Sequence, residues 1–194
     1  MPQPKSIAIF CGSSPGFDPV YAEAARAMGR AILERDLTLV YGAGSVGLMG
    51  VVADTVLKGG GRVKGYIPQF LVDFEVGHTG LTELHVTESM HERKLAMAEA
   101  ADGFIAMPGG IGTLEEIIEV FTWTQLGLHD KRCGLLNVNG YYEDLLAMFD
   151  RMVAAGFLKG ADAGAMLVNK VAHLLLDQVL EPMDKRKANK WISR

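Results

Sequence analysis

Short apolar runs alternate along the chain with longer stretches in which apolar residues recur every three or four positions. Ser6–Cys11 (SIAIFC) predicts a buried strand that ends in Gly12-Ser13-Ser14-Pro15-Gly16. Asp18 is placed to cap a helix to about Glu34, with Ala22, Ala25, Met28, Gly29 and Ile32 on one side. Leu37–Tyr41 predicts a second strand, which runs into Gly42-Ala43-Gly44 and a helix from about Ser45 to Lys58. Further strands are predicted over Arg62–Ile67, Leu81–Thr87, Gly103–Met107, Gly134–Val138 and, at an edge, Ala165–Val168. Helices are predicted over Met90–Ala100, Gly112–Leu126, Tyr142–Ala155 and Val171–Leu180. Strands that are apolar throughout, each followed by a helix, describe a parallel sheet covered on both faces. The expected fold class is therefore α/β. One doubly wound, Rossmann-like domain of six or seven mainly parallel strands spans residues 1–181, and a basic tail spans 182–194.

Composition agrees with this and removes some functions. A chain of 194 residues with 49% hydrophobic and 22% charged residues folds as one globular domain and is not disordered. Its net charge of −4 argues against a general nucleic-acid binder. The tail gathers Lys185, Arg186, Lys187, Lys190 and Arg194 against Asp184 alone, and it reads as a solvated end. Cys11 and Cys133 lack metal-ligand spacing, and Cys11, closing an apolar run, reads as a buried reduced thiol. No stretch approaches the ~18 apolar residues of a membrane span. The start, MPQPKSIAIF, lacks the apolar core of a signal peptide, so no membrane partner and a cytoplasmic location are expected.

Glycine clusters follow the first, second and fifth predicted strands, at the edge where open α/β sheets bind ligands. A glycine loop feeding a helix offers free N–H groups and the positive end of the helix dipole, which suits phosphate. Gly42-Ala43-Gly44-Ser45-Val46-Gly47 matches GxGxxG, but it follows the second strand, and the next strand ends at Ile67-Pro68 with no acid for a ribose hydroxyl. A dinucleotide dehydrogenase is disfavoured, and the absence of GxxxxGK[ST] excludes a P-loop NTPase. In Pro108–Glu116 (PGGIGTLEE), three glycines and Thr113 precede two carboxylates. Acids in a first helical turn ordinarily just complement the dipole. Beside a phosphate loop they would repel the ligand unless a cation lies between. Leu114, Ile117, Ile118 and Phe121 form the core stripe of that helix, so periodicity does not choose among Glu115, Glu116 and Glu119. Met90–Lys94 (MHERK), opening the helix after the fourth strand, supplies the cation in Arg93, a residue suited to bidentate pairing with carboxylate or phosphate. His91 reads as a surface histidine.

MHERK and PGGIGTLEE, with SIAIFCGSS, VYGAGSVGLMG and TWTQLGLHDKRCGLLNVNGYY, resemble the LOG (Lonely Guy) family. Members are cytokinin riboside 5′-monophosphate phosphoribohydrolases, long labelled lysine decarboxylases. The resemblance covers nearly the whole chain and implies that Arg93 and Glu116 are catalytic. It implies nucleotide binding by Lys94, by Gly109, Gly110, Ile111, Gly112, Thr113, Leu114 and Glu115, and by Thr122. Glu75, in FEVGH, matches another such position, and Met90 the residue that packs on the base. Gly12, Ser13, Ser14, Gly42 and Gly44 would line the remaining pocket. The implied reaction cleaves the N-glycosidic bond of AMP or N6-substituted AMP, releasing base and ribose 5-phosphate, with no redox cofactor or metal. Alternatives are a general purine 5′-monophosphate nucleosidase of salvage, a non-catalytic nucleotide or cofactor carrier on the same fold, and a pyridoxal-dependent decarboxylase using Lys94. Val120 and Trp123 fall outside the core stripe of their helix, which fits a partner surface or burial within the chain equally well, and the family forms dimers. A homodimer is expected.

Overall fold

The structure, a computed structural model, describes residues 5–73 and 77–183. Its strands are β1 (Ser6–Phe10), β2 (Thr38–Tyr41), β3 (Arg62–Pro68), β4 (Glu83–Thr87), β5 (Phe104–Ala106), β6 (Cys133–Leu136) and β7 (Met166–Asn169). Its helices are α1 (Pro19–Glu34), α2 (Gly47–Lys58), α3 (Gln69–Asp73), α4 (Met90–Ala100), α5 (Ile111–Leu126), α6 (Glu143–Ala154), α7 (Gly160–Ala163) and α8 (Ala172–Leu180). Among the described residues the strands form a single parallel sheet in the order β4-β3-β2-β1-β5-β6-β7. The chain first builds outward from β1 to β4, then returns to lay β5 on the other side of β1, where Ala8 registers with Phe104 and Phe10 with Ala106.

Alternation along β1 sends Ile7 and Ile9 to one face and Ala8 and Phe10 to the other. On the first face, Met28 and Ile32 of α1, Val52 and Val56 of α2, and Leu175 and Leu176 of α8 cover the sheet. On the second, Met97 of α4, Ile117 and Phe121 of α5, and Phe149 of α6 pack on Phe10, Val40 and Phe104. Burying such a side chain contributes about 1.5–3 kcal/mol. An exposed pair such as Arg26–Glu23 contributes about 0.2–1 kcal/mol, so the two apolar layers hold the sheet. Asp18 caps α1 as expected, its carboxylate accepting the Val20 N–H at 2.9 Å.

Two expectations are corrected, and two short helices are new. Val120 is buried within the chain, because α5 turns Thr113, Ile117, Val120 and Phe121 inward together. The sixth strand ends at Leu136, short of Val138. Asn137 still donates its N–H to the Asn169 carbonyl of β7 at 2.8 Å while its side chain accepts the Tyr142 N–H at 2.8 Å, and Val138–Gly140 makes one 3₁₀ turn with Asn139 at φ 51°. The short helices α3 and α7 were not anticipated, since neither is long enough to establish a period. No described helix is long and apolar enough to cross a membrane. Glu75 and the basic residues from Lys185 onward lie outside the described residues.

Candidate active site

The order of the sheet makes β2, β1 and β5 neighbours, so the three glycine loops that follow them converge on one edge. The β1–β5 seam is the topological switch point, where such sheets open a crevice. The two loops there meet main chain to main chain. Gly12 N donates to the Pro108 carbonyl at 3.1 Å, and a Cβ on Gly109 would stand 2.7 Å from Gly12 N and collide with Thr113. The helix that follows, α5, has no side-chain cap at its N-terminus, whereas α1 and α4 are capped by Asp18 and Ser89. Gly110 lies in extended backbone at φ −85°, and a Cβ there would meet nothing within 4 Å. Neither backbone nor neighbours demand glycine at this position. What its absent side chain leaves clear is the approach to the first amides of α5.

Opposite stands α4. Ser89 caps it by accepting the Glu92 N–H at 3.2 Å, and the Glu92 carboxylate accepts the Glu88 N–H at 2.8 Å. This fixed start delivers Arg93 into the interior. Its Nε donates to the Tyr66 carbonyl at 3.0 Å, and its Nη2 lies 3.0 Å from Glu116 Oε1. The two side chains are only 10% and 13% exposed. Gly42 has a definite task here, since any Cβ at this position would collide with the Arg93 guanidinium. Gly44 lies against Met49 in the same way. Lys94 sits between Glu115, which accepts a hydrogen bond from Nζ, and Glu119, whose Oε2 is 2.9 Å away.

Arg93, Glu115 and Glu116 line a cleft of about 350 Å³ with Gly12 and Ser13, Met49 and Met90, and the run from Gly110 to Thr113, whereas Gly42, Gly44 and Lys94 are not among its walls. Burial raises the Glu116 carboxyl above the ordinary glutamate range, and the Arg93 guanidinium opposes that shift. The outcome is a desolvated carboxylate paired with Arg93, with Lys94 a weaker second cation, a state suited to accepting a proton or facing developing positive charge. Arg93→Ala removes the opposing cation, so the Glu116 carboxyl should titrate at higher pH than in the unaltered protein. Carboxyl-resolved NMR titration of the two proteins measures this, and an unmoved or lowered midpoint would contradict the pairing.

The structure gathers most of the expected residues and separates a few. Ser14 and Gly109 border an adjoining cleft with Gly12, Ser13 and Tyr141. Leu114 packs toward the core, so only its main chain is available to a ligand at this edge. Thr122 lies on the Glu115–Glu119 face of α5 about two turns beyond Glu115. It borders a separate groove with Leu126 and Phe157, and its hydroxyl donates to the Ile118 carbonyl at 2.7 Å. Cys11 is buried at the floor of the main cleft. Met49 and the Tyr66 carbonyl were not anticipated. Met49 follows the GxGxxG run closely enough to have been suspected, but a main-chain carbonyl leaves no signature in sequence.

A crevice at the switch point, a glycine loop feeding an uncapped helix, and a buried Arg–Glu pair define a Rossmann-like nucleotide-site protein. A family model described as "Possible lysine decarboxylase" matches residues 49–179. A cytokinin riboside 5′-monophosphate phosphoribohydrolase of Rhodococcoides fascians is 50% identical over 170 residues, 87% of this chain and 86% of that protein. The enzyme of the same name, LOG7, from Arabidopsis thaliana is 52% identical over 154 residues, 79% of this chain and 71% of that one. This chain belongs to that family, the LOG family. The fold recurs at low identity in a molybdenum cofactor binding protein of Rippkaea orientalis (TM-score 0.70, 17% identity, 92% and 97% of the two chains). It recurs as well in a molybdenum cofactor carrier protein of Chlamydomonas reinhardtii (TM-score 0.69, 19% identity, 92% and 99%).

The family model's description does not fit the lysine at this site. A Schiff-base lysine must lose its proton. Glu115 and Glu119 outweigh the effect of burial and raise the Lys94 ammonium above the ordinary lysine range.

Proposed function

We infer that this chain hydrolyses the N-glycosidic bond of adenosine 5′-monophosphates, including N6-substituted ones, to free base and ribose 5-phosphate. One observation carries the reading: a buried carboxylate paired with Arg93 shares a cleft with the uncapped start of α5. Glu116 stands about 9 Å along the helix axis from Gly110. That separation suits a sugar whose phosphate rests on the loop amides and whose anomeric carbon faces the carboxylate. Breaking the C1′–N bond leaves the bonding pair on the base and positive charge on the sugar. Glu116 stabilises that charge and takes a proton from the attacking water, which bonds to C1′. This proton balances the one the departing base picks up. The remote phosphate contributes binding energy that orients the reacting carbon. Arg93 keeps Glu116 ionised and helps hold the nucleotide.

Met49, Met90 and the 82%-exposed Ile111 make the cleft's rim apolar, which favours an N6-substituted base over plain adenine. Comparing kcat/KM for N6-isopentenyl-AMP and AMP tests this. A ratio well above one supports the cytokinin assignment, and a ratio at or below one favours a salvage nucleosidase. A carrier would bind AMP and release no adenine.

The same reading includes a homodimer. Leu95, Trp123 and the 69%-exposed Leu128 form the apolar part of a groove of about 700 Å³ between α4 and the end of α5, which Glu99, Asp130 and Lys131 also border. An apolar patch of this kind suits a subunit contact. Leu128→Asp should convert a dimer to a monomer in sedimentation analysis, and an unchanged dimer would place the contact elsewhere.

A further inference from the structure

The loop that begins α5 is held from behind by two consecutive tyrosines. The 3₁₀ turn after β6, with Asn139 and Gly140 at positive φ, brings Tyr141 and Tyr142 back toward the end of β5. Tyr142 is buried, and its hydroxyl donates to the Met107 carbonyl at 2.7 Å. The Tyr141 hydroxyl donates to the Gly109 carbonyl. The Tyr141 ring is fixed by edge contacts with Tyr21 and Tyr142, at centroid distances of 5.7 Å and 5.1 Å. Tyr141 borders the adjoining cleft, which shares Gly12, Ser13 and Gly110 with the cleft of Arg93 and Glu116.

In a planar trans peptide the carbonyl and the following N–H point in opposite directions. The Pro108 carbonyl is taken by Gly12 N and the Gly109 carbonyl by Tyr141. The N–H groups of Gly109 and Gly110 are thereby turned away from those partners, and Gly110 itself borders the cleft that holds Glu116. We propose that Tyr141 is a positioning residue, whose hydroxyl fixes the Gly109–Gly110 peptide so that its amide is preset for the substrate phosphate. Tyr141 does not line the cleft that holds Arg93 and Glu116. Its hydrogen bond replaces the reorganisation that a free glycine peptide would undergo on every binding event.

The proposal rests on the phosphate-loop reading above, and the test separates the two. Binding of ribose 5-phosphate, ribose and adenosine is measured by calorimetry for the unaltered protein and for Tyr141→Phe, which deletes only the hydroxyl. The variant should bind ribose 5-phosphate about five- to tenfold more weakly, the effect of one lost charge-assisted orientation, with adenosine affinity unchanged. Its KM for AMP should rise by the same factor while kcat stays within about twofold. Equal ribose 5-phosphate affinity in both proteins would overturn the role of Tyr141 alone. A parallel loss of adenosine affinity would overturn it too, by marking a general structural effect. If the unaltered protein binds ribose 5-phosphate no better than ribose, the phosphate-loop reading itself fails.

Discussion

Glu116→Gln should bind AMP with nearly unchanged affinity and turn it over about 10³-fold more slowly. The amide keeps the size of the side chain and an oxygen that can still accept from Arg93 at its present 3.0 Å, so the cleft keeps its shape. What disappears is the negative charge facing C1′ and the site that accepts water's proton. The loss should therefore fall on kcat and leave KM nearly alone. Because burial raises the carboxyl of the unaltered enzyme, the acid limb of its rate profile should lie above the ordinary carboxylate range. Activity that needs ionised Glu116 is present above that limb and lost as pH falls through it. The limb should be absent from the residual activity of the variant. A kcat within a few fold of the unaltered enzyme would remove Glu116 from the chemistry.

Gly110→Val should do the opposite, abolishing measurable AMP binding while the protein stays folded. Its φ of −85° is open to any residue, and a Cβ at this point meets no neighbour, so the substitution costs the fold little. The isopropyl group would instead occupy the space before the first amides of α5, where the proposed function sets the phosphate. We expect a loss of at least about 100-fold in affinity, the scale of several charge-assisted hydrogen bonds. The thermal midpoint and far-ultraviolet dichroism should be close to those of the unaltered protein. Retained affinity would move the phosphate off this loop.

Much of the fold was legible because its signals are local. Apolar runs such as Ser6–Phe10 and Phe104–Ala106 lie within short stretches closed by glycine or proline, and each marks a strand on its own. The convergence of three glycine loops was legible for the same reason, since a parallel sheet puts every strand's carboxyl end on one edge. The choice of Glu116 over Glu115 and Glu119 was not. All three lie off the apolar stripe, and only the approach of α4 decides which meets Arg93 and which meet Lys94. Resemblance supplied that choice before geometry did. Val120 was left open between core and partner surface, and it is buried because a helix lying flat on a sheet buries a wider face than a narrow stripe implies. The Tyr141 clamp was hidden altogether. Its partner is a main-chain carbonyl, and the turn that delivers it is tied by the Asn137 side chain to the Tyr142 N–H.

The most direct measurement is of the products formed from N6-isopentenyl-AMP and AMP, separated by chromatography. The account predicts base and ribose 5-phosphate in equal amounts, accumulating together, with neither adenosine nor inorganic phosphate. Bound nucleotide recovered intact, or a nucleoside released with inorganic phosphate, would contradict it.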